Sequence, residues 1–93
     1  MNSLRGDEDA VLLKPEAVRL AEIYVPSKLR KTLDPRKVEA IAESVIENGL
    51  QTPIQVRRDK DRYVLVTGLH RLEALRALGE ETIQALIVRA RLH

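Results

Sequence analysis

The chain has no cysteine, phenylalanine or tryptophan, and its 93 residues include only two tyrosines and one methionine. Without a thiol, disulfides, thiolate catalysis and cysteine-held metal sites are excluded by chemistry. Two histidines, one of them the terminal His93, do not make a zinc site. With Tyr24 and Tyr63 as the only aromatic residues, the stacking platforms that bind single-stranded nucleic acid are missing too. No apolar run approaches the length of a membrane span or a secretory core, so a cytoplasmic protein with no membrane partner is expected. Nor is there a large excess of one charge: the net +2 is too small by itself to argue for a nucleic-acid binder.

What remains is 44% hydrophobic and 32% charged residues, the balance of one small globular domain whose core is built from Leu, Ile, Val and Ala. Charge is uneven along the chain. Lys28, Arg30, Lys31, Arg36 and Lys37 form one basic cluster, relieved only by Asp34. This cluster suits a phosphate site or a nucleic-acid backbone. A second cluster, Arg57, Arg58, Lys60 and Arg62, is interleaved with Asp59 and Asp61 and reads as a solvated turn.

Residues 1–15 open with an acidic stretch and read as a flexible N-terminal segment, followed by a domain over residues 16–93. Glu16 to Ile23 is expected to be a short strand with Val18 and Leu20 on one face, and Tyr24 to Leu33 a loop. Asp34-Pro35 is a helix start, with an N-cap carboxylate followed by proline at the first helical position. Val38, Ile41, Ala42, Val45 and Ile46 then recur at spacings of three and four, making one apolar stripe to be buried. Asn48-Gly49 ends this helix. Two strands around Ile54–Arg57 and Tyr63–Val66 form a hairpin. A second helix starts near His70 and closes at Gly79, and Thr82 to Val88 is a last strand. The predicted fold is α+β: a small mixed sheet covered by two main helices.

The functional lead lies in Thr67-Gly68-Leu69-His70-Arg71, between the apolar strand Val64–Val66 and the second helix. A glycine permits close backbone approach. A helix start offers unpaired N–H groups and partial positive charge, and a His-Arg pair adds donors. Together these are the ingredients of a phosphate site.

From about Val18 to Val88 the chain resembles the superfamily that unites ParB N-terminal domains with sulfiredoxins. Two segments carry the resemblance: Ser44 to Arg57, with its capping glycine and Pro53-Ile54-Gln55-Val56-Arg57, and Gly68 to Ala74 followed by Leu78-Gly79 and Thr82-Ile83. ParB proteins have Gly-Glu-Arg-Arg at the second segment and bind CTP with magnesium as a clamp that loads on DNA. Sulfiredoxins have Gly-Cys-His-Arg there and use ATP to repair a peroxiredoxin cysteine. Here Leu69 stands in place of both the cysteine and the glutamate. Sulfiredoxin catalysis is therefore rejected, and ParB-like magnesium coordination loses its glutamate.

By the same resemblance, Lys37 matches a lysine that contacts ATP phosphate, Ser44 a hydroxyl residue at that site, and Arg30 the loop arginine of ParB that reaches the nucleotide. Ala40 stands where a further polar contact is found, and Glu73 where ParB often has arginine. The resemblance implies a nucleotide-phosphate-binding domain with a DNA-associated role in partition (of plasmids, for example) or regulation. Its expected site is Gly68, His70, Arg71, Lys37, Ser44 and Arg30, taking CTP or ATP, with Mg2+. The other expected partners are a DNA backbone and a protein partner or a second copy of the chain. The helix-turn-helix with which ParB proteins read DNA does not lie between Met1 and His93. Two alternatives stand beside this reading. One is an enzyme of the superfamily, a nuclease or nucleotide hydrolase drawing on Glu73, Glu39 or Glu43. The other is a protein-interaction module with a vestigial nucleotide site.

Overall fold

Backbone chemistry sets the element boundaries. In the computed structural model, which describes residues 14–50 and 52–89, the order is β1 (Glu16–Arg19), a 3-10 turn (Leu20–Glu22), β2 (Ile23–Tyr24), α1 (Ser27–Arg30), α2 (Pro35–Asn48), β3 (Ile54–Asp59), β4 (Arg62–Thr67), α3 (Leu69–Ala77) and β5 (Thr82–Val88). The expected flexible segment falls on residues 1–13, outside the described residues, apart from Lys14 and Pro15.

The sheet is mixed and five-stranded, in the order β1-β5-β3-β4-β2. β1 runs antiparallel to β5, β5 parallel to β3, β3 antiparallel to β4, and β4 parallel to β2. The strand expected over residues 16–23 is thus two strands at opposite edges of the sheet. Alternation alone could not reveal this, because Val18, Leu20 and Ile23 all point into the core on either side of the break. Four interstrand gaps would hold the edges of a flat sheet about 19 Å apart. The chain from Arg19 to Ile23 reaches at most about 14 Å. The sheet must curl to bring its edges together. Leu20 N–H, bonded to Glu81 O at 3.0 Å, pins the crossing point.

The core lies inside this curl. Ile54 and Val56 from β3, Leu65 from β4, Ile83 and Ala85 from β5, and Leu69, Leu72 and Leu75 from α3 make one buried cluster with Val18, Leu20, Ile23 and Val25. At about 1.5–3 kcal/mol for each large aliphatic side chain removed from water, this cluster is the main favourable term. The hairpin β3–β4 and strand β5 form where periodicity places them, and the outcome matches the α+β expectation. Val64 and Leu65 are buried on opposite faces of β4, while Val66 near its end is 38% exposed. Residues 27–30, expected as loop, close one helical turn in which Leu29 and Arg30 N–H both bond Pro26 O. The second basic cluster pairs locally: Arg62 meets Asp59 at 3.4 Å and lies over the Tyr24 ring, while Arg58 lies over Tyr63.

The largest departure concerns α2. Its boundaries are those expected, with Asp34 accepting from Arg36 N–H at 3.0 Å, Pro35 at the start, and Gly49 at φ 75 closing the end. Yet none of its residues is buried. Val38, Ile41, Ala42 and Val45 are half-covered, and Ile46 is 71% exposed. Ile46 sits about 80° round the helix from Val38, at the margin of the stripe. The helix rests on α3, and its half-buried Val45 packs against the core cluster without being part of it.

Candidate functional site

The site is built around the turn from β4 into α3. Gly68 caps α3 at φ 109, a conformation side chains rarely adopt. A Cβ there would stand 2.5 Å from Ile54 Cγ2 and 2.9 Å from Ile54 Cβ. Glycine is required twice over, by backbone angle and by the strand beneath it. With no side-chain cap at this end, the first-turn amides of α3 are the groups that a helix start leaves for an outside acceptor. Leu69, the first residue of α3, turns inward and is 7% exposed, so it contributes apolar floor where a polar side chain would reach a ligand.

His70 and Arg71 follow on the same turn, both half-buried. His70 Nε2 accepts the Asp34 N–H at 3.0 Å, across 36 residues of chain. An imidazole nitrogen that accepts carries no proton, so the neutral ring here has its single N–H on Nδ1. Arg71 Nη1 donates to Thr52 O at 3.2 Å and to Pro53 O at 3.1 Å, leaving the rest of the guanidinium fork free of those bonds. The pair therefore joins α3 to the residues just before α2 and just after it. Sequence reasoning foresaw a charged doublet directed at a ligand; the main-chain partners Asp34, Thr52 and Pro53 were invisible to it, because a backbone group has no signature in the sequence.

Two concavities flank the doublet. One, of about 380 Å³, is lined by Ile41, Ser44, Val45, Gly49, Leu50, Thr52 and Arg71. The other, of about 420 Å³, is lined by Ile23, Tyr24, Val25, Arg30, Leu33, Leu69, Glu73 and Arg76. The six expected residues are thus distributed. Ser44 and Arg71 share the first concavity, and Arg30 lies in the second, its Nη2 donating to Val25 O at 3.2 Å. Lys37 stands exposed on the first turn of α2, three residues from Asp34, and lines neither concavity. Glu73 is ion-paired with Arg76 at 3.4 Å, which neutralises part of the second concavity's basic character, and Glu39 and Glu43 are exposed on α2.

Sequence reasoning missed Leu50 and Thr52, which wall the Ser44 concavity; the signal was their place directly after the capping Gly49. Among the described residues no group of three or more His, Asp or Glu could hold a metal ion, and Leu69 has no ligand atom. The residues present do not fit a magnesium ion held by the protein.

Comparison with known proteins bears on the family and the fold. The family model described as ParB N-terminal domain matches residues 5–92. The chain belongs to the ParB N-terminal domain family. The nucleoid occlusion protein of Halalkalibacterium halodurans is 34% identical to this ParB N-terminal domain over 87 residues, which cover 89% of the chain and 31% of that protein. Sulfiredoxin from Arabidopsis thaliana shares the fold with a TM-score of 0.74 and 31% identity, over 83% of this chain and 86% of its own. The C-terminally truncated chromosome-partitioning protein ParB from Caulobacter crescentus, complexed with CTP-gamma-S, has a TM-score of 0.72 at 23% identity, over 84% of this chain and 46% of its own. The chain spans 22% to 31% of the length of the first curated relatives it matches. Among the described residues no helix is long and apolar enough to cross a membrane.

Proposed function

We propose that this ParB N-terminal domain binds the polyphosphate of a nucleoside triphosphate, CTP or ATP, against the start of α3, and serves DNA partition or its regulation. The observation that carries the reading is the joining of His70 and Arg71, directly after Gly68, to the two flanks of α2, with Ser44 and Arg71 on one concavity. Phosphate oxygens are placed against the first-turn amides of α3, where Gly68 leaves room for close approach. The free edge of Arg71 offers a planar pair of donors suited to phosphate. Lys37 supplies charge, Ser44 a hydroxyl, and Arg30 closes the side nearer Leu69. The CTP-gamma-S bound by the Caulobacter crescentus protein supports a nucleotide in this fold, and the relatives concerned with chromosome partition and nucleoid occlusion support the process. Magnesium in this reading comes with the phosphates, since the described residues offer it no ligand set.

Contact with DNA in this reading runs through the exposed cations of α1 and the start of α2 to the phosphate backbone, and weakens with salt. Thermal unfolding with CTP, ATP and GTP tests the nucleotide. A ligand at about 100 times its dissociation constant adds roughly 2.7 kcal/mol to stability. For a domain of this size that is a rise in Tm of about 10 °C or more. The expected result is such a rise with CTP or ATP, reduced by Lys37→Ala. No rise with any of the three overturns the reading.

A further inference from the structure

α2 buries no residue, yet its position is definite, because Asp34 at its start is tied to His70 and the segment after its end is tied to Arg71. Asp34 uses its two polar ends separately: the carboxylate accepts Arg36 N–H and caps its own helix, while the main-chain N–H leaves the helix for His70 Nε2. The bond spans 36 residues and joins the starts of two helices. A helix whose apolar stripe is only half-covered depends in part on such ties for its register.

We propose that His70 is a positioning residue: as the Nδ1–H tautomer it accepts the Asp34 N–H and sets where α2 begins, and it does not itself hold phosphate. Lys37, one turn further along α2, is then placed relative to α3 chiefly by this acceptor, and Ser44, two turns beyond that, jointly with the tie of Arg71 after the helix end. Loss of the imidazole leaves the Asp34 N–H without this acceptor, and α2 loosens at its first turn. The proposal deepens the nucleotide reading but does not depend on it for two of its three tests.

The first test is the ring tautomer, read by long-range 1H–15N correlation on the unmutated protein at about pH 7.5, with His93 distinguished by the His70→Gln spectrum. The Nδ1–H pattern is expected for His70; an Nε2–H pattern overturns the proposal. The second is amide exchange at Asp34. His70→Ala should speed it about tenfold or more while amides of β3 and β4 keep their rates. Glutamine carries an acceptor at a similar reach, so His70→Gln should hold Asp34 within about threefold of the native rate. Unchanged exchange in His70→Ala, or a lost tie in His70→Gln, overturns the proposal; should the alanine variant not fold, the tautomer and the glutamine variant decide. The third is CTP affinity, expected within about threefold of native for His70→Gln and weakened about tenfold or more for His70→Ala. If His70→Gln keeps Asp34 protected but loses CTP as fully as His70→Ala, the ring touches phosphate and the proposal fails. If the native protein binds no CTP, the nucleotide reading fails, and the tautomer and exchange results still decide the role of His70.

Discussion

α2 and α3 lie against each other, and the helix with the cleaner amphipathic stripe is the one that buries less. α2 repeats apolar residues at three and four over its whole length, yet it has no buried residue. α3 has a weaker stripe, interrupted by His70, Arg71 and Glu73, yet Leu69, Leu72, Ala74 and Leu75 are all buried. Periodicity reports which side of a helix faces the protein. How deep that side sinks depends on what lies opposite. α3 is set against β3 inside the curled sheet, whereas α2 meets chiefly α3 and reaches the core cluster with the half-buried Val45. Apolar burial holds the first helix; caps and polar ties contribute a larger share to the second.

This contrast can be broken most easily at the centre of each helix. Leu72 is fully buried, and Leu72→Ala should cost about 2–5 kcal/mol in urea or thermal unfolding. A loss below about 1 kcal/mol would mean that α3 is not the anchor. The two helix starts give the next largest difference. Gly68→Ala puts a side chain at φ 109 against Ile54, and about 1–3 kcal/mol of backbone strain adds to the cost of the clash. Asp34→Ala removes only the side-chain cap of α2 and leaves the main-chain tie to His70, so the loss should be about 1 kcal/mol. The smallest effect is expected at Ile46, where Ile46→Ala should change unfolding by less than about 0.5 kcal/mol. A cost at Ile46 equal to that at Leu72 would show that something in solution covers the outer face of α2.

Legibility followed the same divide. Asp34-Pro35 and Asn48-Gly49 bounded α2 correctly because caps are written in side chains and in glycine. Thr82–Val88 was readable because alternation along one strand is local. The split of residues 16–24 between two edges of the sheet was not, since strand pairing joins residues such as Arg19 and Thr82 that are distant in sequence. At the site, the glycine and the His-Arg pair were visible as residue types at a strand-to-helix turn. That His70 and Arg71 turn to main-chain groups at opposite flanks of α2 was not, because those partners are carbonyls and an N–H that every residue possesses.

Side-chain chemistry alone therefore settles the span of the main helices, the α+β class and the family motif, all of which depend on residue type and short spacing. The curl of the sheet, the shallow seat of α2 and the coupling of His70 to Asp34 come only with the folded chain, because each is a contact between segments that no local pattern brings together.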